Sequence, residues 1–260
     1  MLLRLLFISL ISLAAPFALS HDTWVQPNAH VLRTGEVAYI DLMLGNHGNE
    51  HRDFRLASKV SLDRCKLELC DPSGKSHDLK PAAADLGMAP KEGFWSARYV
   101  TKEDGLHTIL HSTEGAHGTI RTIKSAKSYF IAGAVASAVK QGSFSEPIGY
   151  DLEVVPLTNP ALASAGSEIK VRVDFKKRPL KDARVSFIPR GQVLAAGFDD
   201  QFERRTDAHG AASFTPSEGN YLLIVVHHLD PEAKGEGFDK TQYSATLALC
   251  VPQLPMSTKE

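Results

Sequence analysis

Glu168-Ile169-Lys170-Val171-Arg172-Val173-Asp174-Phe175 alternates charged and apolar residues without a break. On an extended strand the apolar Ile169, Val171, Val173 and Phe175 share one face and the four charged side chains share the other. One face meets a core and the other meets water, as in an antiparallel sheet covered on one side. Downstream, residues 183–188, 211–215, 221–228 and 243–251 read as further short strands. Between them lie turn residues such as Asp207-Ala208-His209-Gly210 and Ser217-Glu218-Gly219-Asn220. Short strands at this spacing predict an immunoglobulin-like β-sandwich over residues 150–252, without the cysteine pair of antibody domains.

Upstream of that sandwich the chain becomes rich in small residues, with Ala134-Val135-Ala136-Ser137-Ala138 and then Gly142-Ser143-Phe144-Ser145-Glu146-Pro147. That composition marks a linker at 134–149. Before it, residues 37–44 alternate, with Ala38, Ile40, Leu42 and Leu44 on one face, and run into Gly45-Asn46-His47-Gly48-Asn49-Glu50-His51. Further strands are expected at 64–69, 94–100, 105–111 and 119–130, with the turn Asp71-Pro72-Ser73-Gly74 among them. The fold class is therefore all-β, two immunoglobulin-like sandwiches at 21–133 and 150–252, followed by a short polar tail at 253–260.

The first twenty residues read as a cleaved secretory leader. Arg4 precedes the apolar run Leu5 to Leu13, and Ala18 and Ser20 supply small residues at the positions before a cut. Pro16 and the polar His21-Asp22-Thr23 make the run too short and wrongly flanked for a membrane span. The expected product is an exported, periplasmic chain of about 240 residues beginning His21-Asp22-Thr23-Trp24.

A histidine at a free N-terminus offers an α-amine and an imidazole on one residue, which chelate a single ion. Their unperturbed pKa values, about 7.7–8.0 and about 6.5, leave both partly available as neutral ligands near neutral pH. Nitrogen donors of this kind suit Ni, Cu, Co and Zn rather than Ca or Mg. Eight of the eleven histidines fall before residue 134: His21, His30, His47, His51, His77, His107, His111 and His117. His107 and His111 share a strand face but stand about 13 Å apart, so one ion cannot take both. His47, and His117 within Ser112-Thr113-Glu114-Gly115-Ala116-His117-Gly118, are expected on loops free to converge. His227 and His228 end an apolar strand and point to opposite faces, so at most one of them reaches an interface with the first half near His21. The metal ligands expected are His21, His47, His117 and His227. Trp24 is expected to bury its ring and anchor His21.

Several classes are excluded or left empty. Lys and Arg number 29 against 30 Asp and Glu, and Lys176-Lys177-Arg178 is the one basic cluster, which argues against nucleic acid as a partner. Cys65, Cys70 and Cys250 are too few for a disulfide framework. Five strand steps place Cys65 about 16 Å from Cys70, beyond bridging distance. There is no His-Glu-x-x-His, no nucleophile–histidine–acid arrangement and no phosphate loop, so no catalytic residue and no enzyme activity is expected.

His21-Asp22-Thr23-Trp24 after the leader, Gly45 to His47, Gly105-Leu106-His107-Thr108-Ile109-Leu110-His111 and Lys127-Ser128-Tyr129-Phe130 together resemble a known family. Pro179 to Val185, Thr206 to Gly210, Gly219 to His228 and Tyr243 to Leu247 extend the likeness through the second half. The family is the periplasmic accessory proteins of bacterial nickel and cobalt uptake, long filed as an exported domain of unknown function. The resemblance implies two sandwiches, export and a nitrogen-rich metal site near the mature N-terminus. His21 carries over best, and His47 departs from the pattern because Asn46 intervenes between glycine and histidine. Nickel or cobalt is the implied ion, copper also suits the donors, and any membrane transporter is a separate protein. The two other classes weighed are a copper histidine-brace oxidative enzyme and a structural or adhesive module with no metal.

Overall fold

A computed structural model describes residues 21–46, 55–56, 60–87, 93–133, 139 and 142–255. In the first half the strands are β1 (Asp22–Pro27), β2 (Val31–Leu32), β3 (Val37–Asn46), β4 (Arg55–Leu56), β5 (Cys65–Cys70) and β6 (Ser76–Asp78). They continue with β7 (Ala83–Asp85), β8 (Trp95–Val100), β9 (Gly105–His117) and β10 (Ile120–Ala132). After the single turn of helix α1 (Gly142–Ser145) come β11 (Leu152–Pro156), β12 (Ile169–Phe175), β13 (Arg178–Pro179) and β14 (Arg184–Pro189). The chain ends with β15 (Glu203–Arg205), β16 (Ala211–Phe214), β17 (Asn220–Asp230) and β18 (Lys240–Val251). The leader, its cleavage site, His47 and His51 lie outside the described residues.

Each half repeats the immunoglobulin arrangement. In the first, the order β1-β3-β8-β7 faces β10-β9-β5-β6; in the second, β11-β12-β16 faces β18-β17-β14-β15. The alternation in β12 works as its sequence demands: Ile169, Val171 and Val173 are buried while Lys170 is exposed. The basic cluster forms its hairpin turn, where Lys176 and Lys177 both take positive φ, as a two-residue turn matched to strand twist requires.

The two sandwiches expected at 21–133 and 150–252 are present but are not separate, because they share one sheet. β10 and β18 pair in parallel over nine residues, from Ile120↔Lys240 to Ser128↔Ala248. The two four-stranded layers thereby fuse into one long sheet, β15-β14-β17-β18-β10-β9-β5-β6. The physical reason is that the last strand of each sandwich would otherwise leave an edge of unpaired N–H and C=O groups, and each satisfies the other. Because the strand order mirrors across a parallel seam, the halves cover opposite faces of the shared sheet. One apolar core, with Leu67, Leu69, Ile109 and Phe130 of the shared sheet against Val25, Ile40 and Leu42, lies on one face. The other, with Ile224, Val226 and Leu247 against Val154, Val171 and Phe214, lies on the opposite face.

The seam is also bridged by each half's first strand. On one face Lys127 of β10 and Glu153 of β11 form an ion pair of 2.7 Å with both side chains almost wholly buried. Glu153 accepts further hydrogen bonds from the N–H groups of Ile148, Gly149 and Tyr150, so the end of the expected linker is built into the structure. On the other face β1 crosses β10 and β18, where the Thr246 hydroxyl donates to the Thr23 carbonyl at 2.8 Å. All six residues of β1 are buried, and Trp24 is fully inaccessible.

Candidate metal site at the head of the first strand

Three strands of the shared sheet place three polar side chains side by side. The register aligns Lys124 of β10 with Ser244 of β18, and Ser244 with His227 of β17, so all three project from the same face. β1 enters over this row at His21 and Asp22. The Lys124 ammonium donates to the His21 carbonyl, and the Ser244 hydroxyl donates to the Asp22 carboxylate. His227 Nε2 donates to the same carboxylate, 2.9 Å from Oδ1 and 3.0 Å from Oδ2.

Charge in this row is matched to burial. Asp22 is 2% exposed, and a carboxylate so enclosed is tolerated only when paired and hydrogen-bonded. Burial works against the protonated ring of His227, but the charge and hydrogen bond of Asp22 outweigh it and raise the pKa above the ordinary histidine value. Burial lowers the pKa of Lys124 against the opposing pull of Asp22. Asp22 is thus the centre of a cationic row.

The four expected ligands are not all gathered here. His21 is exposed at the head of β1, and His227 stands a quarter exposed beyond Asp22. His117 is elsewhere: the loop expected at 112–118 is instead the continuation of β9, paired with β10 as far as His117↔Ile120. Only Gly118 and Thr119 turn the hairpin, with Gly118 at φ 59°. His117 is exposed about four strand steps, roughly 13 Å, outward from the rung of Thr113 and Lys124. Among the described residues no cluster of three or more His, Cys, Asp or Glu side chains is arranged to hold a metal ion.

What remains is a donor set of a different kind. His21 needs no second residue to form a chelate once its nitrogen is a free amine. His227 has Nε2 committed to Asp22, so only Nδ1, and only with its proton removed, could serve an ion there. These donors fit a nitrogen-preferring transition metal, whereas the cysteines do not contribute: Cys65 is buried in the core and all three are unbridged.

Four other histidines, His77, His107, His111 and His228, are engaged structurally. His107 and His111, on one face of β9, are fully buried. His107 stacks on Phe130 with ring centroids 4.6 Å apart, and His111 Nδ1 donates to the Lys66 carbonyl at 2.8 Å. Burial drives the pKa of His111 down to about 4. His77 Nε2 meets Asp71 at 2.7 Å, and His228, on the face opposite His227, packs on Phe175 at 4.2 Å. Asp22 and Ser244 lie within stretches that carry the family resemblance and Lys124 does not, but none of the three was marked in the sequence as a site residue. Asp22 is adjacent to His21, but its partners lie more than a hundred residues away.

The family model described as "Domain of unknown function (DUF4198)" matches residues 18–229. Among curated proteins there is no match. Solved structures similar to the chain include a DUF4785 family protein from Legionella pneumophila subsp. pneumophila str. Philadelphia 1, at 13% identity and TM-score 0.32, over 78% of this chain and 52% of that one. The chain thus spans about half the length of the Legionella protein. The D0-D1 domain of intimin is similar at 10% identity and TM-score 0.23, over 87% of this chain and 97% of that one. The full ectodomain of mouse nectin-like molecule 4 is similar at 8% identity and TM-score 0.24, over 90% and 65%. All three scores are too low to support a functional argument.

Proposed function

The chain belongs to the family described as Domain of unknown function (DUF4198), and we propose that it is an exported protein that binds a transition-metal ion through its mature N-terminus. Its role is capture or delivery, as an accessory to nickel or cobalt uptake, with copper a competing ion; it does not turn over a substrate. The observation that carries this is the setting of His21: an exposed histidine heading a strand whose next six residues are all buried. A chelating residue so mounted loses little freedom when it binds, because Trp24 and the seam have already ordered its backbone.

Cleavage after Ser20 would supply the amine, and the imidazole of His21 the second nitrogen. His227 is the further donor within the same row, while His117 stands apart and His47 lies outside the described residues. No described helix is long and apolar enough to cross a membrane, so passage of the ion through a membrane would fall to a separate transporter. A copper brace would use the same amine and imidazole, and sustained copper-dependent peroxide formation would favour that enzyme instead.

The test compares protein beginning at His21 with a form carrying one added alanine. The extra peptide bond converts the amine to an amide and leaves the fold untouched. Calorimetry with Ni(II) and Cu(II) should show affinity falling at least 10–100-fold, the range seen when only a ligand's supporting partner is lost. Equal affinities would refute the assignment, as would N-terminal sequencing of exported protein that reads other than His-Asp-Thr-Trp.

A further inference from the structure

The row beneath the head of β1 continues to the edge of the shared sheet. Ser244 pairs with Lys124 on one side and His227 on the other. One step past the pairing of Val185 with Val226, Arg184 stands beside His227, and Arg184 pairs with Arg205. Directly paired residues project from the same face, so Arg205, Arg184, His227 and Lys124 form one file across β15, β14, β17, β18 and β10. The acids bound to this file lie on its inner side: Asp22 is 2% exposed, and the Glu203 carboxylate held by Arg184 is fully buried. The cations face outward, with the side chain of Arg184 45% exposed and that of Arg205 54% exposed. Asp182, 3.6 Å from Arg205, is an exposed acid at that end. Past the file, in the direction away from β1, the same face of β10, β18 and β17 carries Thr122, Ile120, Gln242, Lys240 and Leu229, and neither Asp nor Glu.

Two guanidiniums set directly across a strand pair repel, so the pairing of Arg184 with Arg205 costs stability in the free protein. Both flank the exposed ring of Phe198, at 5.8 and 5.7 Å. We infer that this face is a docking surface for an acidic, extended segment of a partner protein, lying across the strands from Arg205 toward Lys124. The span follows from sheet geometry: five strands about 4.8 Å apart make a file of about 19 Å, which about six residues of extended chain cover. Carboxylates arriving from outside complement cations whose own acids are on the inner side, and they relieve the repulsion between Arg184 and Arg205. A narrow chain fits at the foot of β1, whereas a flat lipid surface is held off the middle of the file by β1 itself. The surface needs no metal, although Lys124 at its end holds the His21 carbonyl and so places the docked segment beside the mature N-terminus.

The experiment uses metal-free protein beginning at His21 and a fluorescent peptide of six glutamates, with anisotropy as the readout. Binding should appear at low ionic strength and weaken toward about 0.15 M salt, where the Debye length is about 8 Å. Arg205→Glu with Lys240→Glu reverses two cations of this face that hold no buried acid, and should weaken binding about tenfold. Arg205→Gln with Lys240→Gln replaces it if charge reversal disturbs folding, with a smaller loss in the same direction. Lys75→Glu with Lys177→Glu, which reverses two exposed lysines off this face, should bind like the parent. No binding by the parent overturns the inference, as does an equal loss in the Lys75 and Lys177 variant or parent-like binding in both Arg205 and Lys240 variants. Sedimentation with phosphatidylglycerol vesicles in the absence of peptide binding also overturns it, in favour of a lipid surface. The form with one added alanine should bind the peptide like the parent, so failure of the N-terminal chelate and failure of this surface are read separately.

Discussion

His111 should make the fold sensitive to acid by a calculable amount. Its ring is fully buried, Nδ1 donates to the Lys66 carbonyl, and burial lowers its pKa from 6.5 to about 4. In the unfolded chain the ring regains its ordinary pKa, so between these values the unfolded state binds the proton that the folded state refuses. A group depressed in this sense costs stability as pH falls. The gap between 6.5 and about 4, at about 1.4 kcal/mol per pH unit, sets a ceiling of about 3.4 kcal/mol. At pH 5 the loss is about 2 kcal/mol, against a typical total of about 5–15 kcal/mol. The perturbation is His111→Met, of similar volume and without a proton to gain, at a constant cost of about 1 kcal/mol for the lost hydrogen bond. Urea unfolding at pH 7.5 and pH 5.0 would compare the two proteins. The parent should lose about 2 kcal/mol more over that interval than the variant. His107, also lowered by burial, acts in the same direction in both proteins. His227 acts oppositely: its raised pKa gives stability present below 6.5 and lost as pH climbs through its folded value. Both contributions cancel in the comparison. An identical pH dependence for parent and His111→Met would refute the reasoning.

Further outcomes are expected at the seam and the site. Lys127→Ala leaves Glu153 charged and buried, so chemical denaturation should show a loss of about 3–5 kcal/mol, and Lys127→Met with Glu153→Leu should recover much of it. Trp24→Ala, which empties a fully buried site, should cost about 3–5 kcal/mol by the same measurement. Residues 150–255 produced alone would expose the β18 edge that β10 normally covers, so light scattering should find dimers or aggregates rather than a monomer. Metal binding by protein beginning at His21 should weaken as pH falls from about 7.5 to 6, because protons compete for amine and imidazole; calorimetry across that range checks it.

Alternation alone determined the strands. Glu168 to Phe175, and Ala38, Ile40, Leu42 and Leu44, could be read because side-chain period two is a local property that a sequence carries in full. The pointing of His227 and His228 to opposite faces was legible for the same reason. β1 was not read as a strand, since Asp22, Thr23 and Gln26 are buried polar residues that break any apolar period, and the partners of the Asp22 carboxylate and the Thr23 carbonyl come from β17 and β18. The stretch 112–118 looked like a loop because its glycines and polar residues carry no apolar period; β10 holds it extended through backbone pairing that sequence does not display.

The seam could not be seen in the sequence at all. Small residues at 134–138 do suggest a joint, but whether two sandwiches are merely tethered or share a sheet depends on edges that meet about 120 residues apart. Backbone N–H and C=O groups are the same at every position, so their pairing leaves no compositional trace. His21 was marked by its place in the sequence, beside a leader that ends in small residues. Its neighbourhood of Asp22, Ser244, His227 and Lys124 was decided only when the parallel pairing of β10 with β18 brought those strands under β1.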